Sequence, residues 1–167
     1  MLLHRNEILF RQGETGPLYR LHSGLLKIVR VQEDGRQLVL NFIVPGEVIP
    51  HHSLISPKAY HGTAIALTTS EIELIPAADW YAKVTTDTEA ALETARLLQS
   101  RLRMMQERID QLALQSPAEK LEAFRSWIAR YLPPNTKLTD LLTQEEIGQF
   151  VALRRETVNR LLRESQS

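Results

Sequence analysis

Residues 87–115 contain no Gly and no Pro, while the stretch before Pro76 is broken every few residues by Gly, Pro, Asn or Asp. That contrast constrains the fold most, because Gly and Pro punctuate regular elements. The first half has room only for short elements. The β-rich runs between its breaks, residues 7–10, 18–22, 25–31, 37–44, 63–67 and 71–75, predict a barrel or sandwich. Asp34-Gly35 within the segment 32–36 predicts a hairpin over residues 25–44, since Gly tolerates the positive φ that such turns require.

After Pro76 the pattern turns helical, first over 77–84 and then over 87–115. The long helix exceeds what the surface of a small domain needs. Its apolar residues Ala91, Ala95, Leu98, Leu102, Met105, Ile109 and Leu112 step alternately by four and three, the a/d spacing of a left-handed coiled coil, and predict a dimerisation seam. The competing reading packs the same stripe on the chain's own barrel.

Ser116-Pro117-Ala118-Glu119 reads as a capping box with Pro at the first helical position, opening a helix to about Leu132 and a separate domain. Pro133-Pro134-Asn135 ends that helix, residues 137–141 cross over, and Thr143-Gln144-Glu145-Glu146 offers a second box. Two short helices, 144–150 and 154–163, flank a turn at 151–153 and form a helix-turn-helix pattern. Ile147, Val151, Val158, Leu161 and Leu162 make its internal face, leaving Arg155, Glu156, Asn159, Arg160 and Arg163 outward and Arg154 at the helix start. Arg can pair bidentately with guanine, Glu can accept from cytosine, and Thr143, Thr157 and Arg154 can reach phosphates. The competing reading is a solvated amphipathic helix.

Other chemistries find little purchase. Lys plus Arg number 20 against 20 Asp plus Glu, so any basic surface must be local. Without Cys there is no thiolate metal site, disulfide or cysteine nucleophile. No apolar run approaches the length of a transmembrane helix, and a cytoplasmic location is expected. A metal-dependent enzyme on a β-barrel would need a His-x-His pair and a carboxylate, whereas His51-His52 is followed by no acidic residue before Glu71. Trp80 and Trp127 sit in helical apolar patterns as core residues.

The segments Thr143-Gln-Glu-Glu-Ile-Gly-Gln and Arg155-Glu-Thr-Val-Asn-Arg-Leu-Leu resemble the helix-turn-helix signature of the cyclic-AMP receptor protein and fumarate–nitrate regulator (Crp/Fnr) family. Gly13, the stretch from Leu18-Tyr19 to Ser23-Gly24, Gly35 and Pro45-Gly46-Glu47 resemble that family's jelly-roll effector domain, in the same order along nearly the whole chain. The resemblance implies an α+β chain: a cyclic-nucleotide-binding-like β jelly roll at 1–86, a dimerisation helix at 87–115 and a helix-turn-helix domain at 116–167. It implies a homodimeric transcription regulator reading a pseudo-palindromic double-stranded DNA operator, with Thr143, Gln144, Arg154, Arg155, Glu156, Thr157, Asn159 and Arg160 at the DNA and RNA polymerase as a further partner.

Three departures qualify what carries over. Where cyclic-nucleotide-binding members have a Gly-Glu-Leu motif and an Arg-Ser pair, this chain has Pro50-His51-His52-Ser53-Leu54 and Tyr60-His61-Gly62. Without a phosphate-pairing Arg or a ribose-binding carboxylate, no cyclic-AMP response is expected. His51, His52, Tyr60 and His61 then become the candidate effector pocket; imidazoles suit haem iron or a divalent metal, but adjacent strand residues face opposite ways, and no cofactor is assigned. The chain stops at Ser167 without the expected wing, and the front has no room for a helix before the first strand. A family-derived sensor or interaction protein without operator binding of its own is the alternative function.

Overall fold

The computed structural model describes residues 1–165. Eight strands form: β1 (Leu2–Leu3), β2 (Ile8–Phe10), β3 (Leu18–Ser23), β4 (Leu26–Val31), β5 (Gln37–Ile43), β6 (Val48–Ile49), β7 (Thr63–Ala66) and β8 (Ser70–Ile75). They pair antiparallel in two four-stranded sheets, ordered β1-β8-β3-β6 and β2-β7-β4-β5. The β4–β5 hairpin runs from Leu26 opposite Ile43 to Val31 opposite Gln37, and Gly35 in its turn has φ +81°. Leu21, Leu26, Ile43, Ala64 and Ile72 meet in the interior. There the Phe10 ring lies 5.7 Å from Tyr19 and 4.2 Å from Tyr60.

Two strands and one turn lie outside the expected set. β1 and β6 have two residues each, too few to show an alternation, and exist because the longer strands β8 and β3 template them. His51 and His52 sit on a 3-10 turn, His51–Ser53, not on a strand, so the opposite-face argument does not apply to them.

Six helices follow: α1 (Ala77–Thr86), α2 (Thr88–Ala113), α3 (Pro117–Ala129), α4 (Leu138–Leu141), α5 (Gln144–Val151) and α6 (Arg155–Glu164). The crossover at 137–141 is thus largely the short helix α4, and the backbone amide of Lys137 donates to Asp140 Oδ2 at 3.3 Å across its first turn. The chain divides into two compact units, one ending at Met104 and one beginning at Met105, so α2 contributes to both.

Within the first unit α2 carries two neighbouring faces. Leu97 and Leu98 pack with Ile75 and Trp80 against Leu18, Val48 and Leu54. Trp80 is anchored by its indole N–H, which donates to Leu54 O at 2.9 Å. Thr94 is buried on the same side, its hydroxyl donating to Ala90 O at 2.8 Å. Arg101, seven residues on, is buried as well, because its guanidinium donates to Glu47 Oε1 at 3.2 Å. The other Glu47 oxygen accepts from the Val44 amide at 2.8 Å, and His51 Nε2 lies 3.0 Å from Oε1 without hydrogen-bond alignment.

Burial alone would raise the Glu47 carboxyl, but the His51 contact, the Arg101 charge and the Val44 amide outweigh it and hold the group below its ordinary range. A depressed folded-state value stabilises the fold above the unfolded carboxyl's titration and is lost as pH falls through the folded value. Glu47→Gln should therefore destabilise the protein by about 3 kcal/mol at neutral pH, leaving Arg101 buried without its counter-charge. Chemical denaturation across pH should show that difference shrinking as the pH falls below about 4; a pH-independent difference would remove the charge argument.

Candidate nucleic-acid interface

The second unit is built on a small core in which Leu121, Phe124 and Ile128 of α3 meet Ile147, Phe150 and Val151 of α5 and Val158 and Leu162 of α6, all buried. The Phe150 ring lies 4.7 Å from Phe124 and stacks on Trp127 at 6.4 Å. Leu161, expected on the same internal face, is half-buried.

The start of α5 is set by a reciprocal capping box: the Glu146 amide donates to Thr143 Oγ1 at 3.1 Å and the Thr143 amide donates to Glu146 Oε2 at 2.9 Å. The box at Ser116 is weaker, with Glu119 N donating to Ser116 Oγ at 3.5 Å. The turn out of α5 depends on two residues. A Cβ on Gly148 would stand 2.5 Å from the Leu153 carbonyl oxygen, so any larger residue would force the helices apart. Ala152 takes the left-handed conformation, φ 55° and ψ 47°, which reverses the chain into α6.

On α6 four of the expected reading residues are exposed. Arg154, at the N-cap, and Arg155 and Glu156, in the first turn, are exposed, and Thr157 is half-buried. Arg160 is exposed and donates to Glu164 Oε1 at 2.9 Å. An exposed pair one turn apart is held by well under about 1 kcal/mol, so Arg160 can leave this partner at little cost. Asn159 is half-buried and takes a 3.4 Å hydrogen bond from Gln144 Nε2, so these two tie α5 to α6. Thr143 is exposed with its hydroxyl engaged in the cap.

The residues of the expected seam divide. Leu102, Met105 and Ile109 are 57%, 52% and 63% exposed, and Ala95 is exposed with them. Ala91 and Leu112 are half-buried, and Leu98 is shared with the packing against Leu18, Val48 and Leu54. Leu98 thus packs on the chain's own barrel, while Leu102, Met105 and Ile109 are left uncovered.

The four candidate effector residues do not converge. His51 turns to Glu47. Tyr60 is buried with its hydroxyl donating to Pro17 O at 2.8 Å, and burial pushes that phenol well above its usual range. His52 and His61 meet edge to face at 5.9 Å; His52 Nε2 binds Ala59 O at 3.0 Å and His61 Nε2 lies 2.8 Å from Arg30 Nη1. Burial and the adjacent Arg30 and His52 hold the His61 imidazole below its ordinary range, the state in which it accepts from Arg30. Among the described residues no three His, Cys, Asp or Glu side chains are placed to hold a metal ion.

Arg101 and Arg108 were not singled out by the sequence, and Glu47 entered only within the Pro45-Gly46-Glu47 resemblance. Arg101 had a signal, a charged residue seven after Thr94 on the face that Leu97 and Leu98 bury.

The chain matches two family models, a cyclic nucleotide-binding domain over residues 2–87 and the bacterial regulatory proteins of the crp family over residues 141–164. It is 32% identical to the transcriptional regulator LdrP of Thermus thermophilus over 95% of this chain and 80% of that one. The regulatory protein HlyX of Actinobacillus pleuropneumoniae is 29% identical over 96% and 68% of the two chains. A solved structure of a CRP-family transcriptional regulator from Thermus thermophilus superposes with a TM-score of 0.80 at 26% identity, covering 99% of this chain and 84% of that one.

The turn yields a direct test. A non-glycine residue in the left-handed region is strained by about 1–2 kcal/mol, part of which glycine gives back through its freer unfolded chain. Ala152 is exposed, so no packing is lost on shortening it. Ala152→Gly should stabilise the protein by about 0.5–1 kcal/mol in thermal unfolding; a lower melting point would argue against the left-handed turn.

Proposed function

The chain belongs to the crp family of bacterial regulatory proteins and is a transcription regulator, not an enzyme; from that premise we propose that it reads a pseudo-palindromic operator as a homodimer through α6. One observation carries the reading: Arg154, Arg155 and Glu156 are exposed at the N-terminal turn, and Arg160 one turn further on, of a helix that Val158 and Leu162 lock into the unit's core. A rigid helix presenting donors and an acceptor together is what major-groove readout requires. Arg155, Glu156 and Arg160 read base edges, while Arg154, Thr143, Gln144 and Thr157 position the backbone and Asn159 holds α5 to α6. On this reading the chain carries a sensor domain over 1–86, a dimerisation helix over 87–115 and a reading domain over 116–167, functional divisions that do not coincide with the two compact units. RNA polymerase is the further partner in the cytoplasm, where such a regulator meets its promoter.

The exposed Leu102, Met105 and Ile109 support a helix-to-helix dimer, since an apolar stripe at heptad spacing gains by being covered. Two α6 helices would then address half-sites about 34 Å apart. The effector reading is that cyclic AMP is not a ligand. Tyr60 fills the interior with its hydroxyl already satisfied, and His51 is engaged by Glu47, so neither offers the charge that a cyclic phosphate or ribose needs.

Selection from a random duplex library should return a palindromic consensus. Against it, Arg155→Ala should weaken binding about tenfold or more and relax one base pair, whereas Arg154→Ala should weaken all sequences alike and lower the salt slope by about 1. Millimolar cyclic AMP should change neither. No consensus from the intact protein would favour the interaction-protein reading, and a cyclic-AMP-dependent gain would overturn the effector reading. Separately, Leu102→Asp combined with Ile109→Asp should give monomers in sedimentation, because paired carboxylates at a buried seam are unfavourable; a dimer that survives both would place the interface elsewhere.

A further inference from the structure

In the second unit α5 lies chiefly against α6 and α3. The last turns of α2 reach it through a side chain: the Arg108 guanidinium sits over the Phe150 ring, 4.1 Å from its centroid. That ring is a fixed point, held by Phe124 and Trp127 of α3. It also stands two residues before the left-handed turn at Ala152 from which α6 departs. Beside the contact the packing is incomplete, with Arg108, Gln111, Leu112, Lys120, Phe150 and Val151 lining a crevice of about 10 Å³. A cation held over an aromatic face is directional, unlike a greasy contact, because the attraction falls as the guanidinium leaves the ring axis.

We propose that Arg108 is a positioning residue for operator reading: its stacking on Phe150 fixes the angle at which the helix-turn-helix leaves α2, and so sets which half-site spacing the protein selects. Arg108 precedes the exposed seam residue Ile109, so the same helical turn that faces a second copy also orients the reading head. The inference rests on the dimeric operator reading above. Its substance is a division of labour: Arg155, Glu156 and Arg160 choose bases, and Arg108 chooses distance.

The test uses the full chain and the selected operator, with the spacer between half-sites lengthened or shortened by one base pair, and a half-site duplex as control. The wild type should prefer the natural spacer by a clear factor. Arg108→Met, which keeps length and apolar stem but removes the charge, should reduce that preference by about threefold to thirtyfold, the factor equivalent to a partly desolvated cation–π contact. Half-site affinity should stay within about twofold and melting temperature nearly unchanged. Arg108→Lys should restore much of the preference, and Phe150→Leu should abolish it with no further loss when combined with Arg108→Met. If Arg108→Met keeps the wild-type spacing preference, or loses half-site and full-site affinity equally, the positioning role is overturned. A wild type indifferent to spacing would overturn the dimeric reading itself, a distinguishable result.

Discussion

The architecture depends on how α2 is held about its own axis. Its side chains leave at about 100° per residue, so Thr94 and Arg101 fall on one face, and Ala95, Leu102 and Ile109 fall on the next. The face that includes Thr94, Leu97 and Arg101 is committed to the first unit, where the buried carboxylate of Glu47 takes Arg101. An apolar contact could be made at several rotations; a buried ion pair cannot, because a small turn leaves two desolvated charges unmet. The pair thus defines the rotation of α2 as well as stabilising the fold, and the face it specifies leaves Leu102, Met105 and Ile109 uncovered together.

The second unit solves a different problem. It must hold a ten-residue helix rigidly with little core, and small units bury a smaller fraction of their surface. Local devices make up the difference: the reciprocal Thr143–Glu146 box, the close approach at Gly148 and the Gln144–Asn159 bond each remove a freedom of α6 relative to α5. Ala152 is the exception, a strained residue at the hinge of the motif. It persists because the helices on both sides of it are packed on one core and over-determine the turn.

What could be read from the sequence follows from how local each signal is. The β4–β5 hairpin was legible because Asp34-Gly35 states its own turn, and α5 because Thr143 and Glu146 are a box within four residues. The internal face of Ile147, Val151, Val158 and Leu162 was legible from helical spacing alone. β1 and β6 were not, since a two-residue strand is defined by its neighbour across the sheet. The stripe on α2 was read as a whole, yet Leu98 belongs to the barrel side as well, a distinction that depends on which residues come to stand opposite. Arg101 and Arg108 look like surface charges in any helix; only the carboxylate of Glu47 and the ring of Phe150, far off in sequence, give them their roles.

The interior of the first unit is occupied by its own aromatic residues, Phe10 against Tyr60 and Tyr19, with the Tyr60 hydroxyl fixed to the Pro17 carbonyl. A ligand entering there would have to displace a buried ring and break that bond, a loss of about 3–5 kcal/mol for a large aromatic side chain before any contact is gained. By contrast, Glu47 lies where the β5–β6 turn meets α2, and His51 reaches the same carboxylate from the 3-10 turn. The buried Glu47–Arg101 pair therefore ties the β5–β6 turn to the long helix.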